Sequence, residues 1–197
     1  MKGGLRTKTA APYTLQLILD VTKSLVLNLG CKKTTLNEII AQSGISNGGL
    51  YHYFKSKDEI FGMIMKNRMD EINERFYREA DLSLAGPTSI IVDELFGNHD
   101  NCKVFRSIFL YLVSQPENPR TQKIISELHD YWLELGNNWI SLGQKDGLID
   151  PSLEPKQTAS YIISYYFGLL INSAYAADES LFKPEAITSF VTRLLRV

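Results

Sequence analysis

Apolar positions fall into helical spacing near the start of the chain. Leu15, Ile18, Leu19, Val26 and Leu29, with Thr22 between them, predict a helix from about Pro12 to Leu29. Gly30 is placed to end it as a left-handed closing residue. Thr35-Leu36-Asn37-Glu38 forms a capping box, in which the Thr35 hydroxyl accepts from the Glu38 amide and the Glu38 carboxylate returns to the Thr35 amide. It opens a short helix through Ile39, Ile40 and Ala41 that Gly44 breaks. Ile45 turns inward, and Ser46 is placed to cap a helix from Asn47 to about Phe54. Ser56-Lys57-Asp58-Glu59 is a second capping box. It opens a long helix to about Ala80, with Ile60, Met63, Ile64, Ile72 and Phe76 on its inner side. Two short helices separated by Gly-Ile-Ser have the layout of a helix-turn-helix.

Further helical segments follow at about 87–96, 99–115, 119–143, 155–177 and 184–196. Pro87, Pro119, Pro155 and Pro184 each suit a first helical turn. No alternating run predicts a sheet, so the fold class is all-α: an N-terminal three-helix module followed by a larger helical domain. Gly86-Pro87 punctuates the chain after Leu82. The divisions expected are 1–57 with a basic, aperiodic arm over 1–11, a connecting helix over 58–80, and a second domain over 81–197. The segment Gln157–Ala177 carries no charge and has the length of a membrane span. It also carries Gln157, Thr158, Ser160, Ser164, Asn172 and Ser173, and its tyrosines are spread along it, so it reads as a helix buried in protein.

Charge changes the picture locally. Net charge is −1, which argues against a generic nucleic-acid coat. Residues 1–60 nevertheless hold eight basic against four acidic residues, while the remainder holds 13 against 18. A basic front on an acidic body suits a protein with one face toward phosphates, since that attraction is local and screened by salt. Cys31 and Cys102 form no disulfide framework, and Leu5 stands alone among polar residues and glycines, with no apolar signal core. The expected location is the cytoplasm, with reduced thiols.

The content of the second short helix separates a DNA reader from an ordinary helical hairpin. Gly48 and Gly49 stand in its first turn, where each costs about 1 kcal/mol against Ala. Their missing side chains let backbone approach the floor of a major groove. Leu50 and Phe54, four apart, can anchor the helix, leaving Tyr51 and Tyr53 to project with His52 between them. Asn47 can pair with adenine, and the tyrosines can reach phosphates, base edges and thymine methyls. Lys57, at the start of the long helix, can hold a phosphate together with free backbone amides.

Residues 15–65 resemble the DNA-binding domain of the TetR/AcrR family of bacterial repressors. The resemblance is carried by Ile18-Leu19, Leu25-Val26, Gly30, Thr34-Thr35, Ile39, Gly44-Ile45-Ser46, Gly48, Leu50-Tyr51, Tyr53-Phe54, Lys57 and Ile60. Val21, Thr22, Ile40 and Ser43 stand where that pattern usually has alanine, which alters close helix contacts but not the reading residues. The resemblance implies that Asn47, Gly48, Gly49, Tyr51 and Tyr53 touch DNA and that Thr35 and Lys57 meet phosphates. It implies a homodimer through the last two helices. Ile163, Phe167, Leu170 and Ala174 on one, with Ile187, Phe190, Val191 and Leu194 on the other, are the expected contacts, and Ser160, Ser164 and Gly168 permit close approach. It also implies a small-molecule cavity in the second domain, for which Phe105, Phe109, Trp132, Trp139, Tyr161 and Tyr165 are the candidate walls.

The function so read is a dimeric repressor, released from a palindromic double-stranded operator by a small hydrophobic or aromatic ligand of unknown identity. The competing reading is a helical sensing or scaffold protein that binds a protein partner; an enzyme acting on a hydrophobic substrate comes third. No catalytic motif, cofactor loop or membrane span is expected. His99 and Cys102, three apart, are half a metal site, and no other ligand pair completes them in the sequence, so no metal is expected.

Overall fold

A computed structural model of the chain describes residues 10–79 and 85–196. Most of the expected basic arm, and Leu82, lie outside the described residues. The elements are helices α1 Ala10–Lys33, α2 Leu36–Ser43, α3 Asn47–Tyr53, α4 Lys57–Glu79, α5 Ala85–Phe96, α6 Asp100–Val113, α7 Pro119–Lys145, α8 Pro155–Ser173 and α9 Pro184–Leu195, with a 3-10 turn at Glu179–Phe182 before α9. No strand occurs among the described residues.

The helix signals act in the main as the sequence implies, but only the Thr35 half of the first capping box forms. Gly30 breaks α1 at φ +78°, and Cys31–Lys33 add one more turn beyond it. The Thr35 hydroxyl accepts from the Glu38 amide at 3.2 Å, and the Ser46 hydroxyl from the Gly49 amide at 3.2 Å. Gly44, left-handed at φ +67°, returns its amide to Ile40 and makes the tight turn between α2 and α3. Ser56 accepts from Glu59, whose carboxylate reaches back to the Lys55 amide at 2.6 Å. Asn118 and Glu154 cap α7 and α8 ahead of their prolines.

Pro87 lies in the first turn of α5, as expected, with the helix starting two residues earlier at Ala85. One expectation needs correction. Helix α8 stops at Ser173, four residues early, where the Tyr175 and Ala176 amides both bond to the Asn172 carbonyl.

Helix α4 is the centre of the molecule and packs on α1, α5, α6 and α7. Its buried side chains include Ile60, Phe61, Ile64, Met65, Met69, Ile72 and Phe76, which is more than one narrow stripe because neighbours surround it. Helices α1 to α3 close on Ile18, Leu19, Ile39, Leu50 and Phe54, and this cluster runs without a break through α4 into α5–α9. Close approach is set at two glycines. A β-carbon on Gly62 of α4 would stand 2.7 Å from Ile124 of α7, and one on Gly136 of α7 would stand 2.9 Å from Ala159 of α8. Among the described residues no helix is long and apolar enough to cross a membrane.

Candidate nucleic-acid interface and effector cavity

Helix α3 is held by one face. Leu50 is fully buried and Phe54, its C-cap, nearly so. Asn47, Gly48, Tyr51 and His52 face outward, with Tyr51 44% exposed. Tyr53 is half-buried: its ring meets His52 edge-on at 5.1 Å and packs against the core, so it presents less reading surface than Tyr51. The two glycines differ. A side chain on Gly48 would enter open space, as close approach to another surface requires. A β-carbon on Gly49 would stand 2.8 Å from Cγ2 of Ile45 and 3.3 Å from the Ser46 hydroxyl. Gly49 therefore serves the turn as well as any groove.

Thr35 is exposed at the start of α2. Lys57 is not placed as expected. Its ammonium donates to the carbonyls of Cys31 at 2.7 Å, Thr34 at 3.0 Å and Lys32 at 3.3 Å, and lies 4.8 Å from the centre of the Tyr111 ring. It closes the C-terminus of α1 and is not offered to a phosphate. Burial lowers its pKa, against the opposing pull of Asp58. Cys31 beside it is buried, and its thiol is pushed up to about 11 despite the nearby ammonium. It is therefore a protonated filler at neutral pH. Exposed cations of this module include Lys32 and Lys33 at the end of α1, and Lys55 just after α3, whose ammonium also bonds the Tyr51 carbonyl at 2.9 Å. The sequence signal for these three was only the charge asymmetry.

A second site lies against α4. A cavity of about 150 Å³ is walled by Met69, Ile72 and Phe76 of α4, Ile91 and Leu95 of α5, Phe105 of α6, and residues of α7, α8 and α9. Of the expected walls, Phe105, Trp132 and Trp139 are in place, and Tyr166, Ile163 and Phe167 join them. Phe109 instead packs behind the wall against Phe167, ring centres 4.6 Å apart. Tyr161 is 66% exposed on the outer side of α8, and the Tyr165 ring packs tilted against Phe190 of α9, ring centres 5.1 Å apart. Contrary to expectation, neither lines the cavity. Phe76 and Trp139 stack nearly parallel at 4.9 Å, and the Trp139 indole donates to Asn73 of α4 at 2.9 Å. The Trp132 indole nitrogen is buried and has no partner.

The residues expected at a subunit contact also divide. Leu170, Ile187 and Val191 are buried in the protomer's own core, and Ile163 and Phe167 line the cavity. Ala174, Phe190 and Leu194 are exposed, as are Tyr161, Ser164 and Ile171 on α8.

Glu94 joins His99 and Cys102, so the half site seen in the sequence gains a third ligand type, with all three donor atoms within 4.8 Å of one another. Glu94 is buried and its carboxylate is already paired with Arg68 and Arg75 of α4. Two guanidinium groups compete there with any cation, and the cluster's evident work is to fasten α5 to α4.

A helix-turn-helix with an outward second helix, carried on an otherwise helical body, defines a DNA-binding protein of the helix-turn-helix class. Residues 18–64 match the model of the bacterial regulatory proteins of the tetR family. Over 165 residues the chain is 26% identical to the HTH-type transcriptional regulator YfiR of Bacillus subtilis, covering 82% of this chain and 80% of that one. It is 23% identical over 137 residues to the HTH-type transcriptional repressor KstR2 of Rhodococcus jostii, covering 66% and 65% of the two chains. Among solved structures, a transcriptional regulator from Saccharomonospora viridis in complex with choline superposes with a TM-score of 0.70 at 17% identity, over 94% of this chain and 99% of that one. The chain is thus similar to TetR-family transcriptional regulators, by the family match over residues 18–64 and by relatives aligned along most of its length.

Proposed function

We propose that this regulator is a homodimeric, cytoplasmic repressor that grips a palindromic operator with α3 of each subunit and lets go when a small molecule enters the cavity beneath α4. The observation that carries DNA reading is the division of α3: Leu50 and Phe54 anchor it, while Asn47, Gly48 and Tyr51 are left outward. In this reading Asn47, Tyr51 and, at its edge, Tyr53 meet bases, and backbone at Gly48 approaches the groove floor. Thr35, Lys32, Lys33 and Lys55 meet phosphates, which position the helix without reading sequence.

Two subunits are needed to read two successive major grooves. The outward sides of α8 and α9 suit that contact. Tyr161, Ser164 and Ile171 are exposed on α8, and a side chain on Gly168 would meet nothing in its own protomer. Phe190 and Leu194 on α9 are exposed too. Four helices, two from each subunit, would bury these side chains.

The repressor sign is supported by the relative named as a repressor, and effector control by the neighbour solved with choline. Release follows from the cavity's position. Met69, Ile72 and Phe76 of α4 form part of its wall, and the same helix begins four residues after α3 ends. A ligand that prefers a shifted α4 draws the protein toward a state whose two recognition helices no longer match the operator. Selection of bound duplexes from random sequence tests the reading. The expected product is an inverted repeat whose half-sites lie about 34–36 Å apart, or a multiple of that. Enrichment of no sequence would favour a scaffold that binds a protein partner.

A further inference from the structure

We infer that the cavity takes an uncharged molecule of about one aromatic ring with a short substituent, carrying a hydrogen-bond acceptor that pairs with the indole N–H of Trp132. This rests on the effector reading proposed above and adds the chemistry of the ligand to it. The size follows from the volume. About 150 Å³ is the volume of an apolar protein cavity that holds one benzene molecule. The wall supplies flat surface at Phe76, Phe105, Trp132, Trp139 and Phe167.

The absence of charge on the ligand follows from the wall. Among the described lining residues Asp146 alone bears a carboxyl group and none bears a basic one, and Asp146 is exposed at the end of α7. An anion would be buried with no cation to meet it, and a cation would have only ring faces and that outer carboxylate. Tyr166, also on the wall, is held neutral, its phenol pKa raised by burial.

The acceptor follows from one unsatisfied atom. Trp132 is 5% exposed, lines the cavity, and its indole nitrogen finds no partner. A buried donor left unpaired is destabilising, and nearly all such groups in folded proteins are satisfied by something. The other tryptophan of the wall has its donor occupied by Asn73. A ligand carbonyl or ether oxygen at Trp132 would relieve the remaining donor.

The test uses the full-length protein and four one-ring probes of similar size: acetophenone, α-methylstyrene, benzoate and phenyltrimethylammonium. Binding is read by calorimetry, and retention of a selected operator duplex by fluorescence anisotropy. Acetophenone is expected to bind, with benzoate and phenyltrimethylammonium about tenfold weaker or worse. Trp132→Phe should weaken acetophenone about 5- to 10-fold and leave α-methylstyrene within about twofold. If that variant does not fold, the wild-type protein still decides. The chain has two tryptophans, and acetophenone but not α-methylstyrene should move the Trp132 indole N–H resonance downfield, assigned with Trp139→Phe. Tighter binding of either ion, or an acetophenone preference untouched by Trp132→Phe with no resonance shift, overturns the inference. Binding of none of the four while operator binding is intact also overturns it and leaves DNA reading standing. Acetophenone binding as expected without loss of operator would sustain the ligand chemistry and sink release by ligand.

Discussion

The hydroxyl of Thr121 donates to the carboxylate of Asp58 at 3.0 Å across 63 residues of chain, and both side chains are buried. The bond joins the first turn of α7, which walls the cavity, to the first turn of α4, which follows α3. The neighbouring Lys57 ammonium adds α1 and Tyr111 of α6 to the same junction. Helices α1 and α4 and the cavity-lining helices α6 and α7 therefore meet at polar contacts as well as through a shared apolar core.

Thr121→Val removes the hydroxyl that donates to one Asp58 oxygen while the other already lacks a close donor, so the buried carboxylate keeps only its weaker interactions with Tyr111 and Lys57. A hydrogen bond to a charged group contributes about 1.5–3 kcal/mol, and a loss of that size is expected in urea unfolding. A loss below about 0.5 kcal/mol would show that the bond is not held in solution.

The glycines of α3 should part company. Gly48→Ala fills open space in a helix and is expected to stabilise the free protein by about 0.5–1 kcal/mol while weakening operator binding. Gly49→Ala forces Ile45 and the Ser46 cap aside and is expected to destabilise by about 1–3 kcal/mol. Thermal melts and duplex titrations of the two variants separate these effects.

The outward sides of α8 and α9 lead to an opposite pair of variants. Phe190→Glu and Leu194→Glu together should yield a folded monomer by sedimentation, because both side chains are exposed. Ile187→Ala, on the buried side of the same helix, should cost about 2–5 kcal/mol of fold stability. A dimer that survives the double charge would place the contact elsewhere.

Alkaline pH should destabilise the protein. Burial raises the Cys31 thiol to about 11 and the Tyr131 phenol to about 12, and raises Cys102, Tyr111, Tyr165 and Tyr166 as well. Groups whose folded pKa exceeds the unfolded one hold back the folded state's loss of protons. The stability they confer is whole below about pH 9, the ordinary thiol range, and is lost as pH rises through the folded values. The urea midpoint should fall between pH 8.5 and about 11; a flat profile over that window would contradict the burial of these groups.

The reading helix was legible because its determinants are local. Thr35, Ser46 and Ser56 cap within three residues of themselves, and Leu50 and Phe54 share a face by helical period alone. Lys57 was misread because its partners lie 23 to 26 residues away and nothing in its neighbourhood signals them. The stripe on α9 was real but two-sided: Ile187, Val191 and Leu195 turn into the protomer while Phe190 and Leu194 turn out. Periodicity locates such a stripe without saying which edge a partner covers. Tyr161 and Tyr165 failed as cavity walls for the same reason, and Tyr166, one residue on, took that place.

The central claim is that the outward side chains of α3 read bases. Its most direct measurement is the affinity of Tyr51→Ala for a selected operator and for unrelated duplex at one fixed salt concentration. The preference for operator is expected to fall about 10- to 100-fold, with unrelated binding and the helical melt unchanged. An undiminished preference in a folded Tyr51→Ala protein would contradict it.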